Sequence, residues 1–367
     1  MDQRAVDLWR AGVDAVGGYT ATRTALQTLR GAAPDQIVAV GKAAGEMARA
    51  ALDHFGAVPT LVVTKDGHAT GLPASVRVIE SAHPVPDARS LKAGRALRET
   101  VQTMKPATTL LLLVSGGASA LAEDPVGGQS LADLQALNTR LLAEGLDITA
   151  MNAQRRRLSR IKGGGLLGHF GGAAVQVLAI SDVPGDDLAV IGSGIGSAPQ
   201  DPAFSYDSRI IASNRIARDA ATAAAVLRGL TVLDNRESLH DDLTTLIDRL
   251  GPQLRDMRPG VIVLGGEPTV VLPPDPGRGG RNQALALGLA REIAGVPDLT
   301  IVVGGTDGSD GPTDAAGGIV DGTTWGAGAE TALERADSGT FLAAHNALLT
   351  TGPTGTNVMD LLIALRD

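Results

Sequence analysis

The chain has 367 residues, 44% of them hydrophobic and 20% charged, with a formal net charge of −8 at pH 7. That length favours two cores over one, and the fractions are those of an ordinary globular protein. The acidic balance, a 2% aromatic content and the lack of a long Lys/Arg tract argue against a nucleic-acid partner. The absence of cysteine excludes disulfides, thiolate nucleophiles and Cys-based zinc sites.

The opening stretch MDQRAVDLWRAGVDAV spreads its charges and lacks the apolar segment of a signal peptide. No uninterrupted apolar run approaches the roughly 18 residues of a membrane span, so no membrane partner and a cytoplasmic location are expected. From there strand-like and helix-like runs alternate. QIVAVG (36–41) leads into the helical KAAGEMARAALDHF, and TLVVTKDG (60–67) is a strand and turn. SVRVIESAH (75–83) precedes a helix over 87–104, and TTLLLLVSGG (108–117) is a strand ending in a glycine loop. Helical spacing continues over 131–145 and, in a strongly basic form, over 148–162. Strands follow in AAVQVLAISDVPGDD (173–187), SRIIASN (208–214) and LTVLDN (230–235), with an Ala-rich helix at 215–228. Residues 236–260 are polar, end in Pro-Gly and read as a break. Beyond it, GVIVLGGEPTVVLPPDPGRGG (260–280) reads as two strands joined as a hairpin, RNQALALGLAREIAG (281–295) as a helix and LTIVVGG (299–305) as a strand.

Continuous apolar strands alternating with helices imply a parallel sheet covered on both faces, with ligands bound where strands end. Six segments carry the candidate chemistry, most of them at strand ends. Lys42 follows Gly41 at a strand-to-helix junction, where anions collect; a merely exposed lysine is the plainer reading. Ser115, Gly116 and Gly117, with Ser119 behind them, offer close backbone approach and hydroxyls for a phosphate cradle, although the segment does not match the Walker pattern. Arg155, Arg156, Arg157, Arg160 and Lys162 form a basic cluster suited to an anionic substrate, or to a solvated helix face. Asp182, just past a strand, suits Mg²⁺ or a substrate hydroxyl, or else caps a turn. Arg281 opens a helix behind Gly279 and Gly280, beside Asn282, and could clamp phosphate or carboxylate; Glu267 is a candidate nucleotide or metal contact. In GGTDGSDGPTDAAGG (304–318), Asp307 and Asp310 are candidate Mg²⁺ ligands or bases, and Asp314 reads as a turn or cap. An EF-hand is excluded, because the position that needs Glu is Gly318. His68 and His83 lack partners at metal spacing and read as structural.

VSGGASAL, NAQRRRLSRIKGG, ISDVPGDD, GGRNQ, GGTDGSDGPTDAAG and GPTGTNVMDL occur together in this order, as does HPVPD at 83–87. In this the chain resembles the glycerate 2-kinase family, the two-domain type with a C-terminal MOFRL domain, from about Gly41 to Asp360. The resemblance implies transfer of the ATP γ-phosphoryl group to the 2-hydroxyl of D-glycerate with Mg²⁺, at an active site in the cleft between two α/β domains. It matches the family's catalytic lysine to Lys42 and its essential arginine to Arg281. Asn152 and Arg155 join the binding set, with Arg155 on the substrate carboxylate, and Asp182 or Asp307 holds the metal or takes the hydroxyl proton. The chain departs from the family in Gln154-Arg155-Arg156-Arg157 and in SGIGSAP (193–199). The expected architecture is a Rossmann-like parallel-sheet domain over 1–237 and a smaller α/β domain over 238–339, with residues from about 340 to 367 returning to the first. A homodimer is left open. The rival activity, an NAD(P)H-dependent hydroxypyruvate reductase, needs a dinucleotide fingerprint after a strand; GGGLLG (163–168) follows a helical pattern instead. A kinase for a related hydroxy acid, or a non-enzymatic small-molecule sensor on the same fold, would also fit these residues.

Overall fold

The computed structural model describes residues 1–29, 31–127, 129–133, 136 and 158–367. They form two compact units. One comprises Gly17–Ser213 and Gly355–Asn357; the other comprises Met1–Val16, Asn214–Thr354 and Val358–Asp367.

The first unit is built on six strands: β1 (Gln36–Val40), β2 (Thr60–Lys65), β3 (Arg77–Ser81), β4 (Thr109–Val114), β5 (Ala174–Ile180) and β6 (Ser205–Ala212). Their order is β3-β2-β1-β4-β5-β6, and every pairing is parallel. Ile37 to Val40 and Leu110 to Val114 are all buried, which is why these strands are apolar without alternation. The chain runs outward from β1 to β3, then restarts at β4 on the other side of β1. Strand order therefore reverses between β1 and β4, the place where open parallel sheets leave a crevice for ligands.

Most of the helix expected over 131–145 and most of that over 148–162 lie outside the described residues. The described end of the second is not helical. Ser159 bridges Pro125 in antiparallel fashion, and the Arg160 N–H donates to Asp124 O at 2.8 Å. Lys162 pairs with Glu123 in a buried ion pair.

The second unit has β7 (Val232–Glu237), β8 (Gly260–Gly266), β9 (Leu299–Gly305), β10 (Gly317–Asp321), β11 (Leu348–Leu349) and β12 (Asp360–Arg366), in the order β11-β10-β9-β12-β8-β7. Only β7 and β8 pair in parallel; the last strand, β12, lies antiparallel between β8 and β9. The sheet is thus mixed, unlike the first.

The division differs from the expected one in three places, each with a packing cause. The first helix, Gln3–Ala15, belongs to the second unit: Trp9 is 1% exposed and lies against Gly304, and Gly12 lets the helix approach Ala217 closely. The boundary expected at 237 falls at 213, since the Asn214 amide donates to Val358 O and Asp360 O at 3.0 Å and β7 joins β8. The tail does not return as a whole. Gly355–Asn357 alone group with the first unit, while β12 is an inner strand of the second sheet.

Two local expectations also change. The polar stretch taken as a break contains the helix Leu243–Arg255, capped by Asp242, whose Leu246, Ile247, Leu250 and Leu254 enter the second core. Their spacing of one, three and four residues is an amphipathic stripe that overall polarity concealed. The second arm of the expected hairpin is no strand: Val271 is 93% exposed, and β8 has β7 and β12 as neighbours. Pro273 and Pro274 lack the N–H groups that ladder pairing needs.

Candidate functional site

In the first unit, the loops leaving β1 and β4 are laced together by backbone. The Lys42 N–H donates to Gly116 O at 2.9 Å, and the Ala43 N–H donates to the Ser115 hydroxyl at 3.0 Å. Gly41, at φ +126°, allows this closeness, because a Cβ there would overlap Ser115. A Cβ on Gly116 would overlap the Asp182 carboxylate and lie 2.8 Å from Asn357 Nδ2. One on Gly117 would come within 3.1 Å of both the His83 ring and Lys42 Cγ. The Asn357 amide also donates to Asp182 Oδ2 at 3.5 Å.

Lys42, Ser115, Gly116, Gly117 and Asp182 are therefore gathered at the reversal point between β1 and β4 and the adjoining end of β5. Ser115 is fully buried and joins the two loops. Ser119 Oγ lies 2.9 Å from Ser193 Oγ, so the altered SGIGSAP segment touches this cluster. Asn152, Arg155, Arg156 and Arg157 lie outside the described residues. Lys162 is committed to Glu123, and Arg160 lies 3.8 Å from Asp124.

In the second unit, Gly266 ends β8, Gly305 ends β9, and both pair with Asp360 at the start of β12. Three adjacent strands thus present Glu267, Asp360 and Thr306-Asp307 at one edge. Arg281 is the first residue of the helix Arg281–Glu292. Its Nε donates to Asp360 Oδ2 at 2.8 Å, Nη2 to Asp360 Oδ1 at 3.3 Å, and Nη1 to Glu267 Oε1 at 2.8 Å. Burial disfavours the guanidinium charge, but Asp360 and then Glu267 more than compensate and hold its pKa above the ordinary value. Burial raises the Asp360 carboxyl above its usual range, with Arg281 pulling against that. Glu267, expected as a nucleotide or metal contact, is here a partner of Arg281.

Asp310 occupies the N-terminus of the same helix. Its Oδ1 accepts the Asn282 N–H at 3.1 Å and its Oδ2 the Gln283 N–H at 2.8 Å, two of the donors a helix start leaves without internal partners. Gly280 makes this possible, since a Cβ there would overlap the Asp310 carboxylate. Gly279 packs closely on the backbone of Gly339. Burial pushes the Asp310 carboxyl up to about 6, against the lowering effect of the two backbone donors. Asp307 folds over its own loop, accepting from Ser309 N at 3.0 Å and Ser309 Oγ at 2.9 Å. Asp314 is solvated, 4.0 Å from Arg278.

Among the described residues, no three His, Cys, Asp or Glu side chains gather as a metal-holding group. Mg²⁺ commonly takes only one or two carboxylates, the rest of its shell being water and phosphate. Asp310 fits that role poorly, because both of its oxygens accept backbone N–H groups. Asp182 and Asp307, each a hard oxygen donor in a loop at a strand end, fit it better.

Residues 4–231 match the family described as a domain of unknown function, DUF4147, and residues 260–360 match the MOFRL family. The chain belongs to this two-part family. It is 35% identical to the D-glycerate 2-kinase of Thermotoga maritima over 98% of this chain and 97% of that protein. It is 37% identical to an Agrobacterium vitis protein named as a hydroxypyruvate reductase, covering 89% of this chain and 97% of that one. The crystal structure of the Thermotoga maritima glycerate kinase superposes with a TM-score of 0.89 at 33% identity, covering 100% of this chain and 99% of that one. Among the described residues no helix is long and apolar enough to cross a membrane.

Sequence reasoning passed over Asn357 and Asp360 and took His83 as structural only. Asn357 and Asp360 sit in GPTGTNVMDL, a string that marked the family but showed no chemistry of its own. Only the strand pairing of β12 reveals that Asp360 stands behind Arg281.

Proposed function

We infer that this chain is an ATP-dependent glycerate 2-kinase, transferring the γ-phosphoryl group of ATP to the 2-hydroxyl of D-glycerate. What carries this reading is Lys42 and a glycine loop at the β1/β4 reversal point, in a chain similar to a D-glycerate 2-kinase over nearly its whole length. The segment after β1 is Gly41-Lys42-Ala43-Ala44-Gly45, which lacks the dinucleotide fingerprint a reductase would need there.

Phosphoryl transfer demands charge neutralisation and alignment more than covalent chemistry. The 2-hydroxyl oxygen attacks the γ-phosphorus as the bond to the β-phosphate oxygen breaks, and ADP leaves with that electron pair. Lys42 and Arg281 offset the charge spread over the transferred group. Gly116 and Gly117 present backbone to phosphate without side-chain obstruction, and Ser115 fixes the loop from beneath. Arg155 holds the glycerate carboxylate. The hydroxyl proton passes to Asp182 or Asp307. Asp182 or Asp307 would hold Mg²⁺, which would supply charge neutralisation to the phosphates.

The test offers the purified protein ATP and D-glycerate and follows ADP release, with the phosphate position in the product assigned by NMR. A parallel reaction supplies NADH and hydroxypyruvate. ADP release with 2-phosphoglycerate as product is the expected result; rapid NADH oxidation without ADP formation would overturn it.

A further inference from the structure

The Arg281 guanidinium is held by two carboxylates of unlike surroundings. Asp360 is 2% exposed and sits where β12 pairs with β8 on one side and β9 on the other. It takes the Nε and Nη2 edge of the fork. Glu267 is 46% exposed, lies in the loop after β8, and takes Nη1. The Arg281 backbone is fixed as well, since Asp310 accepts the next two N–H groups of the helix.

These two carboxylates differ in what leaving Arg281 would cost them. Asp360 would be left buried without its charged partner, which is strongly unfavourable. Glu267 would exchange one partner for water, at a surface pair's small cost. Arg281 with both carboxylates carries a local charge of −1, which repels phosphate. Arg281 with Asp360 alone is neutral and presents Nη1 outward.

We propose that Asp360 is a positioning residue that aims Arg281, and that Glu267 is an exchangeable counter-ion whose place on Nη1 is taken by a phosphate oxygen. The kinase reading supplies the nature of that anion, and the proposal rests on it to that extent. Asp360 acts through Arg281 and touches no substrate. Glu267 keeps the arginine extended before the anion arrives and competes with it for the same donor.

The experiment uses the full chain with ¹⁵N-labelled arginine side chains, the Arg281 signals being assigned by their loss in Arg281→Lys. In the unmodified protein the Arg281 Nε–H signal exchanges slowly, and titration with inorganic pyrophosphate shifts the Nη1 signals while Nε–H stays in place. Asp360→Asn speeds Nε–H exchange by about tenfold or more and lowers kcat by about tenfold, with a smaller effect on KM. Glu267→Gln lowers the pyrophosphate concentration at half-shift, and the KM for ATP, by about threefold or more, as removal of a competing charge should. Unaltered Nε–H exchange and kcat in Asp360→Asn, or weaker pyrophosphate binding in Glu267→Gln, overturns the proposal. If Asp360→Asn does not fold, Glu267→Gln and the titration of the unmodified protein decide it. If the unmodified protein releases no ADP from D-glycerate, the kinase reading falls, while the exchange and pyrophosphate measurements still judge the roles of Asp360 and Glu267.

Discussion

The two sheets solve the same problem with different materials. The first is wholly parallel, and its strand ends are shaped by backbone: Gly41, Gly116 and Gly117 let loops and side chains crowd together, and N–H groups of one loop bind the other. The second is mixed, and its strand ends are shaped by charge: Arg281 between Asp360 and Glu267, with Asp310 on the helix N-terminus. Glycine contacts fail by steric overlap, which is insensitive to pH and salt. Buried carboxylates fail by losing a partner, and the stability they contribute changes with pH. The two regions should therefore respond to different perturbations.

The largest effect tests whether both regions serve one reaction. Lys42→Ala and Arg281→Ala should each lower kcat by about a thousandfold, roughly 4 kcal/mol of transition-state stabilisation, read from initial rates of ADP release. If only one of them matters, the comparison is between a catalytic region and a scaffold.

Next in size is the pH response of the second region. The Asp310 carboxyl is raised to about 6 in the folded chain from an ordinary value of 3.8. A raised pKa means the folded state keeps the proton longer than the unfolded one. Its contribution to stability is therefore full below about pH 4 and is lost as pH rises to about 6, a change of about 3 kcal/mol. Urea unfolding of the wild type and of Asp310→Asn across that window should show a smaller fall in the variant. Equal slopes would mean that Asp310 is not the group responsible.

Gly116→Ala probes the first region in return. Its methyl must displace Asp182 or Asn357, and overpacking of this kind costs about 1–3 kcal/mol. Activity should fall with it, and the loss of unfolding free energy should be the same at pH 5 and pH 8. The smallest effect is expected at Val271→Ser. An exposed side chain outside any ladder should change unfolding free energy by less than about 0.5 kcal/mol; a larger loss would restore the hairpin reading.

Much of the first region was legible because its signals are local. QIVAV and TLLLLV are apolar runs that only a doubly covered strand explains, and the glycines directly after them mark the strand ends. The second region was less legible because its order depends on β12, which arrives some 50 residues after its neighbour β9 and roughly 90 after β8. That late strand displaced the expected hairpin partner of β8. It also brought Asp360 to Arg281, 79 positions away. In the sequence Asp310 reads as a candidate Mg²⁺ ligand or base; its place on the helix start depends on Asn282, 28 positions away.

GGTDGSDGPTDAAGG shows where the division falls. Its composition required a tight turn after a buried strand, since only glycine accepts the φ of +85° at Gly308 and +59° at Gly311 without strain. Composition could not say which aspartate faces what. Asp307 turned onto Ser309, Asp310 went beneath the helix of Arg281, and Asp314 stayed in water. The sequence by itself determined the alternating α/β architecture, the strand ends and the family, because those follow from short-range pattern. Strand order, the true unit boundaries and the partner of each charge were decided only by the tertiary structure, because burial and pairing depend on residues far apart in the chain.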